Sequence, residues 1–256
     1  MPGMRENRVK KKLQDGKTAT IVTGLNSPDV IEFFGQFGFD GMWIETEHAP
    51  TTWDQVTHQS RACDLWGITS VCSVTTNDTA LITRTLDAGC TGIAVPHIRT
   101  RDEAEKAAKS AKFAPVGYRG MGVGRQSFGV ADYYREANEQ TLMIAFIEDI
   151  EAVDNLPEIL TVENIDVFMV APADLAAIMG YAWRFATEPA PPGVQEAIDR
   201  AHRSDSRGWQ GSGAPGNRRD CAGRVRQGRA ALPDGLAGLG GRRRTAYQSA
   251  VAALPS

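Results

Sequence analysis

Apolar residues gather along this chain in short unbroken runs separated by stretches of helical spacing. The runs are TATIVTG (18–24), FDGMWIE (39–45), ITSVCSV (68–74) and GIAVP (92–96), followed by two within residues 141–175 that end in Glu148 and Asp174. They are apolar almost throughout rather than alternating, which predicts parallel strands buried on both faces. Helices are predicted between them: a capping Ser27 with Pro28 at the first helical position opens 27–37, and further helices cover 52–65, 78–87, 100–112 and 131–138. A helix begins near Ala173, another covers 195–202, and a short basic one precedes the first strand at 5–16. Strand and helix alternate at the spacing of βαβ units, so the predicted fold class is α/β, a TIM-like (β/α)8 barrel of which six units are readable.

The pattern fails near Arg203. From there to the end stand ten arginines and no Lys, Glu, Ile, Phe or Met, in a background of Gly, Ala, Ser and Pro. No buried strand is legible, so strands seven and eight are missing and the barrel reads as incomplete. The expected organisation is a barrel domain over 1–203 and an anomalous tail over 204–256. One reading of the tail is a disordered basic segment that touches acidic partners. The other is translation in a shifted frame. The codons for Asp234–Gly241, read one nucleotide later, permit TGWPAWVA, and those for Gly208–Asp220 permit AGKAAGHLVTDA. Both look like barrel sequence.

Composition narrows the class. The 256 residues suit one large domain, and a hydrophobic fraction of 42% supports a sizeable core. A net charge of −3 gives no reason to expect nucleic acid or a membrane as partner. The four cysteines form no C-x-x-C pair, and the charged N-terminus has no apolar signal core. Both fit a cytoplasmic protein in a reducing compartment.

Glu148 and Asp174 stand 26 residues apart, one αβ unit. Carboxylates at adjacent strand ends can share one hard divalent cation, with water and substrate oxygens completing the shell. They can equally be helix N-cap acids, and spacing alone leaves both readings open. His48, in ETEHAP just past strand two, is a candidate general base or an ordinary surface histidine. Asp87, in TLDAG, can orient a histidine; Glu45 and Glu47 are undecided. The Gly-rich loop GYRGMGVGRQSFG (117–129) lacks the Lys-Ser/Thr of a phosphate cradle and does not open a helix after a strand. It reads instead as a loop over the barrel mouth, offering Arg119 and Arg125 to an anionic substrate.

Taken together, WIETEHAP, TLDAGxxGIAVPH, FAPxGYRGMG, IEDxxAxxN and VAPADLAAxMG resemble the HpcH/HpaI aldolases over roughly residues 15–203. The resemblance implies a metal-dependent (class II) pyruvate aldolase that cleaves a 4-hydroxy-2-oxo acid to pyruvate and an aldehyde. It implies Mg²⁺, Mn²⁺ or Co²⁺ as cofactor, a small 2-oxo acid as substrate, and a trimer or hexamer exchanging a C-terminal helix. Carried over residue by residue, Glu148 and Asp174 match the metal ligands, His48 the catalytic histidine, and Asp87 the acid that pairs with it across a subunit interface. Ala173 and Asp174 match the backbone site for the pyruvate carboxylate, and Glu45 stands near the metal-bound waters. Ser73 occupies the substrate-binding position where the family carries an arginine, five residues before Asp78. A Schiff-base aldolase is disfavoured, because Lys112 is the last lysine. Two other readings remain: a lyase for a CoA thioester of the citryl- or malyl-CoA type, and an inactive family member crippled at Ser73 and in the barrel.

Overall fold

The structure, a computed structural model, describes residues 3–184, 187–207 and 225–229. Six parallel strands follow one another in sequence and in space: β1 (Ala19–Thr23), β2 (Gly41–Ile44), β3 (Thr69–Ser73), β4 (Gly92–Val95), β5 (Leu142–Ile147) and β6 (Val167–Val170). Each pairs in parallel with the next, and the helices between them pack outside, giving the curled sheet of a TIM-like barrel. The unbroken apolar runs have their explanation in two cores. Inside the curl, Ile21, Trp43, Val71, Ala94, Ile144 and Val167 meet. Outside it, the alternate residues pack beneath the helices, Val22 and Met42 in one cluster and Ile93, Met143 and Ala145 in another.

The helices are α1 (Arg8–Gln14), α2 (Pro28–Gly35), α3 (Trp53–Leu65), α4 (Thr79–Asp87), α5 (Arg101–Ser110), α6 (Tyr133–Gln140), α7 (Ile150–Asp154), α8 (Leu156–Ile159), α9 (Pro172–Ile178) and α10 (Pro192–Arg207). Their starts follow local chemistry. Thr52 and Gln55 form a capping box at α3, and the Asp78 carboxylate accepts from the N–H groups of Ala80 and Leu81 at α4. The single helix expected between β5 and β6 is divided in two, because Pro157 cannot continue a ladder running through Asn155 and restarts it as α8.

Basic helix α1 closes the N-terminal end of the curl. Val9 and Leu13 enter the inner core. Asn7 caps Lys10 N–H, and its amide donates to the carbonyls of Thr91 and Gln140, both at 2.9 Å. Lys10 Nζ donates to Thr141 O at 2.9 Å and pairs with Asp166.

Among the described residues the barrel is incomplete, as expected, and one short strand is added after Arg203. Strand β7 (Val225–Arg229) pairs in parallel with the outer side of β1, from Ala19 opposite Val225 to Thr23 opposite Arg229. VRQGR carries no apolar pattern, so only the backbone ladder reveals it. Among the described residues no strand covers the outer edge of β6, and the sheet is open there. Most of the anomalous tail lies outside the described residues.

Candidate active site

The C-terminal strand ends set the site. Ile147 of β5 is in register with Val170 of β6, so Glu148 leaves β5 level with Ala171, just before α9. Pro172 opens α9, and Asp174 stands in its first turn. Neighbouring strands deliver Glu45 and Glu47 after β2 and His97 after β4. These side chains surround a cavity of about 710 Å³ together with His48; Trp43, Phe146 and Met169 form its floor. Ala173 also lines it. Trp43 and Phe146 meet edge to face with centroids 5.8 Å apart. Among the described residues, the cavity wall contains four carboxylates, two imidazoles and no lysine or arginine.

Glu148 is buried, and its Oε1 accepts the backbone N–H of His97 at 2.8 Å. Burial pushes its pKa up to about 7; the hydrogen bond and charge of His97 oppose that, while Asp174 and Glu47 reinforce it. Glu47 is likewise raised by burial, with His48 opposing. Glu45 is the contrary case. Burial would raise it, but hydrogen bonds from Ser73 Oγ (2.7 Å), the Glu47 and His48 N–H groups and Trp43 Nε1 outweigh burial and lower it. Glu45 is therefore a fixed carboxylate, with both oxygens held by hydrogen bonds.

Ser73, at the end of β3, is buried and directs its hydroxyl at Glu45 rather than lining the cavity. His48 lies on the rim with its side chain 73% exposed, Nε2 3.9 Å from Glu47. Asp87, the last residue of α4, is not brought to His48 within one chain. It accepts from Arg119 Nη2 at 2.6 Å on the outer side of the sheet.

The expectation that Arg119 and Arg125 serve a substrate at the mouth is corrected. Arg119 is buried over the Phe113 ring, 4.5 Å from its centroid, and held by Asp87. Arg125 pairs with Asp64 at 2.5 Å and donates to Ser60 Oγ. The loop folds against the α3–α4 side because its glycines allow it: a Cβ at Gly124 would stand 2.9 Å from Asp87 Cα. Gly117 and Gly124 are thus close backbone approaches, whereas Gly120 and Gly129 face open space.

His97 is the residue that sequence inspection passed over. Its φ is +52°, left-handed for a residue with a Cβ. Its Nδ1 stands 3.0 Å from Asp149 Oδ2 and 3.5 Å from Glu148 Oε1. Burial opposes charge on the ring, and the hydrogen bond to Asp149 with the charge of Glu148 outweighs it, so its pKa is raised. The available signal was position: a histidine two residues beyond a strand end, on the same rim as Glu148.

Residues 21–202 match the HpcH/HpaI aldolase/citrate lyase family. The chain belongs to that family. As an HpcH/HpaI chain it is 37% identical over 201 residues to a 4-hydroxy-2-oxo-heptane-1,7-dioate aldolase of Shigella flexneri, covering 77% of this chain and 74% of the relative. It is 32% identical over 182 residues to a 5-keto-4-deoxy-D-glucarate aldolase of Shigella boydii, covering 70% and 71%. A solved HpcH/HpaI aldolase/citrate lyase family protein from Burkholderia cenocepacia superposes with a TM-score of 0.72 at 30% identity, over 79% of this chain and 81% of that one. An HpcH/HpaI aldolase from Desulfitobacterium hafniense, 23% identical, shares the fold with a TM-score of 0.73 over 96% and 97%.

Among the described residues, no group of three or more His, Cys, Asp or Glu is gathered closely enough to enclose a metal alone. The donor set nevertheless fits a hard divalent cation. Glu148 and Asp174 are oxygen donors on one cavity, the Asp174 charge raises the cost of ionising Glu148, and no lysine or arginine stands in the described lining to neutralise them. One or two protein carboxylates, with water and substrate completing the shell, is the usual binding of Mg²⁺.

Proposed function

We propose that this chain is a divalent-metal-dependent aldolase that cleaves a 4-hydroxy-2-oxo acid into pyruvate and an aldehyde. The observation that carries the reading is the convergence of Glu148 and Asp174 on one cavity at the C-terminal rim, where barrel enzymes place their chemistry. Glu148 and Asp174 would hold Mg²⁺, Mn²⁺ or Co²⁺. When bound, the cation supplies a Lewis acid for the 2-oxo oxygen.

The chain's own residues supply the rest. The substrate carboxylate lies against the backbone of Ala173 and Asp174 at the start of α9. His48 takes the proton of the C4 hydroxyl. As that hydroxyl becomes a carbonyl, the C3–C4 bond breaks, its electron pair moves toward the 2-oxo group, and the aldehyde leaves. Protonation at C3 then gives pyruvate. Glu45, held by Ser73, Trp43 and two backbone N–H groups, is a fixed acceptor at the cavity floor. Ser73 acts through Glu45 and brings no positive charge to the site. Asp87 is engaged outside the cavity of its own chain, so its pairing with His48 requires a neighbouring copy in a trimer or hexamer.

The test is pyruvate release by the full chain from a 4-hydroxy-2-oxo acid with Mg²⁺ or Mn²⁺, beside a citryl- or malyl-CoA control. Release from the hydroxy-oxo acid supports the reading. Cleavage of the CoA thioester alone, or of neither substrate, contradicts it.

A further inference from the structure

Two consecutive acids leave β5, and they go to different partners. Glu148 turns into the cavity, buried, and the hydrogen bond it receives comes from His97 N–H at 2.8 Å. Asp149 occupies the N-cap position of α7, where an aspartate normally accepts from the helix backbone, yet its side chain makes no cap bond. Its Oδ2 lies 3.0 Å from His97 Nδ1 instead. One histidine from the β4 loop thus grips both residues of the β5 end, by its backbone and by its ring.

The backbone grip depends on an unfavourable conformation. Among the described residues only His97 and Asn164 have positive φ without being glycine. Such a conformation is unfavourable in a residue with a Cβ, and persists where the surroundings over-determine it. Here it turns His97 N–H toward Glu148, and the ring's bond to Asp149 holds it there.

We propose that His97, anchored by Asp149, is a positioning residue for Glu148: it fixes Oε1 and presents the other carboxylate oxygen to the divalent cation. This rests on the reading of Glu148 as a metal ligand. Partners that orient a ligand from outside the coordination shell typically contribute 10- to 100-fold in metal affinity.

The experiment measures Mn²⁺ binding to the full chain by EPR, with thermal unfolding and steady-state kinetics alongside, for wild type and three variants. His97→Gly tolerates the left-handed backbone, so it folds while losing the ring. Asp149→Ala removes the anchor and no cap bond. His97→Asn keeps a residue at ease with positive φ and an amide that can donate to Asp149. His97→Gly and Asp149→Ala are each expected to weaken Mn²⁺ by about 10- to 100-fold with melting temperature held, and saturating Mn²⁺ restores kcat. His97→Asn recovers most of the affinity. Wild-type affinity in His97→Gly overturns the proposal, as does His97→Asn binding no better than His97→Gly. A kcat loss that persists at saturating Mn²⁺ overturns it too, by showing that the ring acts on the substrate directly. Failure of wild type to bind Mn²⁺ removes the metal reading itself and this inference with it, whereas tight binding by wild type and all variants removes only the inference.

Discussion

At the scale of single residues, the site is a ring of acids whose neighbours decide their roles. Glu148 and Asp174 were legible because strand-end acids are separated by one αβ unit, and register between β5 and β6 places them on one cavity. Glu148→Gln and Asp174→Asn are each expected to weaken Mn²⁺ by more than the roughly 100-fold that loss of an outer partner costs; calorimetric titration checks this, and unchanged affinity contradicts it. Ser73 was legible as a departure, but its partner was not, because Glu45 and Ser73 lie 28 residues apart and meet only through strand pairing. A buried guanidinium at this position would pair with Glu45 and reach toward the cavity. Ser73→Arg is therefore expected to raise the rate of pyruvate release, by up to about 10²–10³ if the charge meets the developing oxyanion. No gain in a variant that folds contradicts the role assigned to that position. His97 was invisible for a different reason: its significance lies in a backbone dihedral and two partners from another strand.

At the scale of elements, α1 is a structural plug rather than a basic surface helix. Its cap residue Asn7 is buried and makes hydrogen bonds to three separate parts of the barrel floor. Asn7→Ala is expected to destabilise the fold by about 2–4 kcal/mol, from one lost cap and the lost side-chain bonds to Thr91 O, Gln140 O and Thr69 Oγ1, read as a shift in urea midpoint. The order of helices and strands was legible from period and caps because both sheet faces are covered. The split at Pro157 and strand β7 were not, since the one is a local exception and the other carries no side-chain pattern. The floor also buries Lys112, whose Nζ donates to the carbonyls of Asn138 and Thr141. Burial, with Lys10 beside it, pushes Lys112 down to about 7 from an ordinary 10.5. A depressed lysine is deprotonated in the folded state while still protonated in the unfolded state between those values. Unfolding therefore takes up a proton in that window, and stability gains up to about 1.4 kcal/mol per pH unit from about pH 7 toward 10.5. Below pH 7 both states are protonated and the gain is absent. Urea titrations of wild type against Lys112→Met should show this slope in wild type only; parallel curves contradict it.

At the scale of the whole molecule, the sheet carries β7 on the side of β1 that the last strand of a closed barrel occupies, and leaves β6 open among the described residues. An open edge of this kind invites pairing with other chains. The abrupt change of composition at Arg203, with barrel-like sequence available one nucleotide away, supports a frame shift near codons 200–206. Sequencing there is expected to show a gained or lost nucleotide; homogeneous reads in one intact frame contradict it. Family and fold were legible from motifs before residue 203, because WIETEHAP, IEDxxAxxN and VAPADLAAxMG sit on the strand ends that build the site. The activity of this chain rests on whether those strand ends bind a cation. The most direct measurement is pyruvate release from a 4-hydroxy-2-oxo acid by the full chain before and after thorough chelation with EDTA. The account expects release to fall to background after chelation and to return on addition of Mg²⁺ or Mn²⁺; full activity in the chelated protein would contradict it.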